Sequence, residues 1–482
     1  MRYSVRIAIG LGLCLLSFAS AALSAHKAGR ARPKLPNFVI FVADDMSWGD
    51  CRPNGLTTVK TPALVALGEQ GMRFDHAYLT CSSCSASRAS MLTGRYPHAT
   101  GAAELHQALP NEQMIVTEPL RKAGYFTAAV GRWHQGPATK AKFDVVKEGG
   151  GPGGYADWIP MLRDRPADKP FFFWLASTDP HRPFPPQAGQ LHKPQDIVVP
   201  PYLPDCAEVR GELARYYDAI ERLDANVGKV LEELNRQGES KNTVVIFLSD
   251  SGRPFPRCKN TIYDSGLHTP LWVRWPGKAS AGATCHSLVS AVDLAPTILD
   301  IAGAAPLPGS QGKSFVALLA DPQAKIRDYA FAEHNWQDYQ AYERGVRTPR
   351  YSYIRNEVAE LPATPPAEVV RGASYQAMRR LREERKLTPE QMACFLHPRP
   401  REELYDLAHD LYELKNVAED PRHAEALQDL RQVLSTWQTE TGDVKPESLT
   451  PDKYDRETGL GISVGTGLAN RENGGGAEKQ GD

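Results

Sequence analysis

Four apolar stretches of this chain each run out into side chains able to do chemistry. Residues 37–43 (NFVIFVA) end directly in Asp44-Asp45, and residues 126–130 end in Gly131-Arg132-Trp133-His134. Residues 170–177 (PFFFWLAS) give way to Thr178-Asp179-Pro180-His181-Arg182, and residues 242–249 (NTVVIFLS) to Asp250-Ser251-Gly252. Paired carboxylates at the end of a buried strand are costly unless a cation or hydrogen bonds compensate them. Asp44-Asp45 taken alone also reads as a turn or helix cap. Asp44, Asp45 and Asp250 together offer the oxygen ligands that suit a hard divalent cation. A fifth stretch, Cys84-Ser85-Ala86-Ser87-Arg88-Ala89-Ser90-Met91-Leu92-Thr93-Gly94, puts a cysteine where a helix begins. Backbone N–H groups and the helix dipole favour an anion at such a place. Its plain reading is a small-residue helix start, with Ser85 and Ser87 capping and Cys84 simply buried.

The apolar stretches read as strands buried on both faces. Helical patterns lie between them, at 61–71 with Pro62 near the start, at 118–123 and at 208–237. Strands alternating with helices predict an α/β fold, a doubly wound and mostly parallel sheet whose ligand site lies beyond the strands' carboxyl ends. The chemistry-bearing groups follow those ends. From about Asp321 the pattern changes to short strands (329–332, 351–354) and charged helices, which predicts a smaller C-terminal α+β subdomain. Residues 375–385 read as a solvated Arg/Glu-rich helix and 424–438 as a closing helix. The expected division is 1–25 leader, 36–320 main domain, 321–445 subdomain and 446–482 a disordered, Gly-rich polar tail.

A chain of 482 residues, 41% of them hydrophobic, can bury a large core, and its formal charge of −1 gives no global basic field for nucleic acid. Arg2 and Arg6 followed by an apolar run from 7 to 22 predict a secretory signal peptide over 1–25 and an exported protein, periplasmic or secreted. The run is short for a stable membrane anchor. Of eight cysteines, Cys14 lies in that run; setting it and Cys84 aside leaves six, whose pairing the sequence leaves open.

The stretch from Cys84 to Gly94 closely resembles the sulfatase signature C-x-P-S-R-x-x-x-L-T-G, and the resemblance extends from about Asn37 to Thr441. It implies an alkaline-phosphatase-like fold and a nucleophile made by oxidising Cys84 to formylglycine. It also implies one divalent cation, calcium by resemblance, at Asp44, Asp45, Cys84, Asp250 and Ser251. Residue by residue, Arg88 matches the arginine that orients the formylglycine hydrate and His134 the histidine that contacts it. Lys259 is similar to the second substrate-binding lysine, and His181 to the sulfate-contacting histidine and candidate general acid. His106, Arg182, Glu333 and His334 are candidates for glycan contacts. Leu404-Tyr405-Asp406-Leu407 is similar to a stretch of the family's C-terminal subdomain.

Three positions depart from the family pattern. Ala86 stands for proline, so the implied maturation partner is either the formylglycine-generating enzyme or an anaerobic maturase. Arg132 stands for lysine and cannot readily donate a proton. Ser251 stands for asparagine and loses a carbonyl ligand. The words Ser82-Ser83-Cys84-Ser85, Leu105-His106-Gln107 and Asp179-Pro180-His181-Arg182 lean towards the heparan N-sulfatase (sulfamidase) branch. The expected function is an exo-acting hydrolase of sulfated glycans, N-sulfoglucosamine first, with an O-sulfatase on another polysaccharide as the alternative. Two further readings compete. A two-zinc phosphatase or phosphodiesterase of the same fold would use Thr or Ser instead of Cys84. A degenerate glycan-binding relative is motivated by Arg132 and Ser251. Oligomeric state is not readable.

Overall fold

A computed structural model describes residues 34–54, 56, 58–184 and 191–462. The chain divides into a unit of residues 1–35, of which only Lys34 and Leu35 are described, and a unit from Pro36 onward that contains everything below. The expected signal peptide lies outside the described residues. No described helix is long and apolar enough to cross a membrane.

The main sheet has eight strands. They are β1 (Asn37–Ala43), β2 (Met72–Phe74), β4 (Phe126–Gly131), β5 (Val145–Lys147), β6 (Phe171–Ala176), β7 (Thr243–Ser249), β8 (Trp272–Arg274) and β9 (Thr284–Cys285). Their spatial order is β5-β4-β6-β1-β7-β8-β2-β9. From β5 to β7 all pairings are parallel; β8 runs antiparallel to both β7 and β2. A two-strand pair, β3 (Ala77–Tyr78) with β10 (Val289–Ser290), lies outside it.

Strand β1 shows why its apolar run is unbroken. Phe38, Ile40 and Val42 pack into one core, and Val39, Phe41 and Ala43 into the other, because successive side chains point to opposite faces. Helices α1 (Pro62–Gln70) and α3 (Ala207–Arg236) contribute Leu64, Leu67, Leu213 and Ile220 to the second core. Helices α2 (Cys84–Thr93) and α4 (Leu294–Ala302) contribute Met91, Leu92, Ile298 and Leu299 to the first.

The C-terminal part is an antiparallel sheet of β11 (Ala330–His334), β12 (Glu343–Arg347), β13 (Tyr351–Asn356) and β14 (Glu402–Asp406). Helix α6 (Ala424–Thr441) covers it through Leu427, Leu430, Leu434 and Trp437. Two expectations need correction. Helix α5 (Ala373–Glu383) is not only a solvated face: Tyr375, Ala377 and Met378 are buried, and Glu212 of α3 accepts from the Ala373 and Ser374 N–H groups at 3.0 Å. The stretch from 446 to 462, expected to be disordered, is bonded into the body. Pro451 O accepts from Trp336 Nε1 (2.8 Å), Lys453 N donates to Asp338 O (2.8 Å), and Arg456 donates to Gln340 O (3.0 Å). Its backbone and the Arg456 side chain find partners distant in sequence, which composition does not reveal. All seven described cysteines are unpaired.

Candidate functional site

The four parallel strands that carry the chemistry end level with one another. Ala43 pairs with Ser249, Val42 with Ala176, and Gly131 with Ala176. Backbone bonds then tie the segments beyond them together: Asp44 N donates to Asp179 O (3.0 Å), Arg132 N to Ala176 O (3.0 Å) and Asp250 N to Ala43 O (3.1 Å). Asp45 adopts a left-handed backbone (φ 71°), a strained choice that turns the chain straight after β1. Cys84 is the first residue of α2, and its sulfur lies 3.6 Å from Asp44 Oδ1, 3.7 Å from Asp45 Oδ1 and 3.7 Å from Ser251 Oγ.

Three cations are interleaved with three carboxylates here. Arg88 Nε donates to Asp250 Oδ2 (2.7 Å) and Arg88 Nη1 to Arg132 O (2.7 Å). Arg132 Nε lies 2.8 Å from Asp44 Oδ2, and Lys259 Nζ 2.7 Å from Asp45 Oδ2. Burial pushes Asp44 and Asp45 up to about 6 against the pull of Arg132 and Lys259 respectively. Burial also raises Asp250, but Arg88, Arg132 and Lys259 outweigh it and leave the carboxyl below its ordinary range. The Cys84 thiol is pushed far up, first by burial and then by the neighbouring carboxylates.

The donor set fits a hard divalent cation. Ligand atoms of Asp44, Asp45, Cys84 and His181 come within 4.8 Å of one another, and three buried carboxylates, Asp44, Asp45 and Asp250, supply oxygens to the cluster. Ser251 Oγ reaches Asp45 Oδ1 at 2.5 Å and Asp250 Oδ1 at 3.2 Å, so its hydroxyl stands within the carboxylate cluster. A second acidic group of His98, Glu333 and Asp443 is satisfied differently: Arg344 bonds Asp443 through two nitrogens, at 2.6 and 2.8 Å.

The outer side of the cluster is lined by imidazoles and one carboxylate. His181 Nδ1 donates to Arg182 O, which leaves Nε2 facing Glu368 Oε1 (3.4 Å) and Asp45 Oδ2 (3.7 Å). Burial lowers His181 to about 4. His134 is depressed further by burial and by Arg132, and its ring lies 4.9 Å from that of exposed His106. A cavity of about 660 Å³ walled by Trp48, Tyr78, Arg253 and His268 holds none of these groups.

Against known families, residues 36–159 and 154–304 match the sulfatase model, and 257–360 match the model described as N-sulphoglucosamine sulphohydrolase, C-terminal. The chain belongs to the sulfatase family. This sulfatase is 33% identical over 466 residues to an ulvan-active sulfatase of Formosa agariphila, covering 85% of the chain and 76% of the relative. It is 31% identical over 477 residues to the human N-sulphoglucosamine sulphohydrolase, covering 88% and 93%. Its fold resembles the structure of BT4656 in complex with its substrate D-glucosamine-2-N,6-O-disulfate (TM-score 0.69, 19% identity, 86% and 99% covered). It also resembles the phosphonate monoester hydrolase of Agrobacterium radiobacter (TM-score 0.65, 20% identity, 84% and 96% covered). The alkaline-phosphatase-like architecture expected from sequence is the one observed.

Not every candidate residue of this sulfatase converges. Cys84, Arg88, Arg132, His134, His181, Lys259, Asp44, Asp45, Asp250 and Ser251 share the cluster, with His106 at its rim. Arg182 is spent elsewhere: Nη1 and Nη2 grip Glu212 at 2.7 and 2.8 Å, and Nε donates to Pro254 O. Glu333 is fully buried and bonded to His98 Nδ1 at 2.6 Å. His334 is buried 3.3 Å from Glu343 Oε1. Arg182 and Glu333 are thus committed to other partners, whereas His334 is buried with neither ring nitrogen hydrogen-bonded among the described residues. Glu368, which sequence reading overlooked, is in the cluster: its Oε1 accepts from Lys259 Nζ at 2.7 Å. No local motif announces it.

Proposed function

We propose that this sulfatase removes sulfate from the terminal sugar of a sulfated glycan, with formylglycine made from Cys84 and one divalent cation. The observation that carries this is Cys84 itself, at a helix N-terminus and ringed by Asp44, Asp45 and Ser251. Formylglycine at that position would supply a hydrated aldehyde hydroxyl as nucleophile, and a cation held by Asp44, Asp45 and Asp250, calcium by resemblance, would polarise sulfate oxygen. Arg88, whose donors are engaged with Asp250 and the Arg132 carbonyl, fixes the geometry rather than the substrate. Arg132 and Lys259 neutralise the sulfate charge. His181, held through Nδ1, turns Nε2 towards the leaving group; an N–S bond needs a proton there as it breaks, which the ring would supply only once Nε2 is protonated as well.

N-sulfoglucosamine at a non-reducing end is the first choice of substrate, supported by the human relative and the C-terminal family model. The ulvan-active relative favours a second reading, an O-sulfatase on another polysaccharide. The leader read at 1–25 supports export to the periplasm or beyond. Sulfate release from terminal N-sulfoglucosamine is to be compared with release from terminal 6-O- and 2-O-sulfated sugars at matched concentration. A higher kcat/KM on the N-sulfated sugar supports the first reading; activity on O-sulfated ends alone selects the second. Mass spectrometry of the Cys84 peptide should show the aldehyde, and Cys84→Ala should abolish turnover with an unchanged melting temperature. Unmodified thiol throughout active protein would sink the nucleophile assignment.

A further inference from the structure

Glu368 stands on a single helical turn, Ala367–Val370, whose other residues are all buried. That turn is pinned from outside: Asp338 Oδ2 accepts from Ala367 N at 2.9 Å, and Asp338 O accepts from Lys453 N at 2.8 Å. The fixed turn aims one carboxylate at the cluster. Its Oε1 is committed to Lys259 Nζ at 2.7 Å and lies 3.4 Å from His181 Nε2. Its Oε2 has no hydrogen-bond partner among the described residues, and the side chain is 24% exposed where Asp44 and Asp45 are 0%. Lys259 already has Asp45 at 2.7 Å, so Glu368 is its second carboxylate. Glu368 is thus a partly exposed carboxylate at the edge of the cluster, one contact from the lysine proposed to meet the sulfate.

We infer that Glu368 determines specificity: its free Oε2 accepts a hydrogen bond from a hydroxyl or N–H on the sugar position next to the scissile sulfate, and its charge turns away sugars carrying a second anion there. This rests on the reading that the site hydrolyses sulfated sugars, and it narrows the substrate to one that is singly sulfated at adjoining positions. An acceptor left unpaired when the donor is missing, and like charges brought together when an anion replaces it, both penalise the wrong substrate.

The test measures kcat/KM for terminal N-sulfoglucosamine with a free 3-hydroxyl and for its 3-O-sulfated counterpart, in wild type, Glu368→Gln and Glu368→Asp. In Glu368→Gln the amide oxygen can keep Lys259 while the NH2 replaces Oε2, so a donor faces the neighbouring sugar group. The wild type should prefer the free hydroxyl. Glu368→Gln should shift the ratio towards the 3-O-sulfated sugar by about tenfold or more, mostly through KM. Glu368→Asp keeps the charge and should keep the preference, which holds the test open if Glu368→Gln melts early. An active wild type whose ratio does not move in Glu368→Gln, whether both rates fall together or neither changes, overturns the inference and leaves the sulfatase reading standing. A wild type inactive on every sulfated sugar overturns the reading, and this contact with it.

Discussion

Ser251 is the residue whose chemistry departs furthest from the family pattern at the centre of the cluster. Its hydroxyl reaches both Asp45 and Asp250, so it can contribute one oxygen but not the carbonyl an asparagine would. Ser251→Asn should tighten cation binding by about tenfold, read as a lower calcium concentration at half-maximal thermal stabilisation after chelator treatment. Chelation of the wild type should lower both melting temperature and activity, since a cation relieves repulsion among three buried carboxylates. Most of the cluster was legible because its members sit next to strand ends. The failures share a cause. Arg182 follows a strand as a ligand should, but its partner Glu212 is 30 residues away on α3. Glu333 is claimed by His98, 235 residues distant. Glu368 was missed for the converse reason, since nothing near it in sequence marks a lone glutamate as a site residue.

The strand ends form the element that makes the site possible, and Gly131 is its tightest point. It closes β4 with φ 102°, and a Cβ there would meet the Ala176 carbonyl oxygen at 1.7 Å. Gly131→Ala should therefore push β4 from β6, move Arg132 off Asp44 and destabilise the protein by about 1–3 kcal/mol. The measurement is a urea melt alongside kcat/KM, with activity falling further than stability. β1, β6 and β7 were readable because burial on both faces leaves five or six apolar residues in a row. β2, β8 and β9 were not: at three, three and two residues they are too short to show a period. Their antiparallel member β8 also breaks the helix-strand alternation on which the sequence reading depended.

Across the whole molecule, the segment after α2 is joined to the C-terminal sheet by His98, Glu333 on β11, Arg344 on β12 and Asp443 beyond α6. Burial pulls the His98 pKa down, but its bond to Glu333 and the surrounding carboxylates outweigh this and leave it above 6.5. A raised folded-state value means the pair stabilises fully below the unfolded pKa, and the contribution disappears as pH rises through the folded one. Wild type should thus lose stability on the alkaline side of about pH 6.5 with a slope that His98→Gln removes, as followed by thermal melts across that range. Finally, the burial of Cys84 sets an order of events in time. The side chain is 1% exposed, and Ser251, against which it lies, is 167 residues downstream. At ribosomal speeds of roughly 5–20 residues per second, on the order of ten seconds pass between the synthesis of the two. An enzyme that modifies Cys84 must work in that interval or keep the chain open beyond it, because the finished fold closes over the Cys84 side chain.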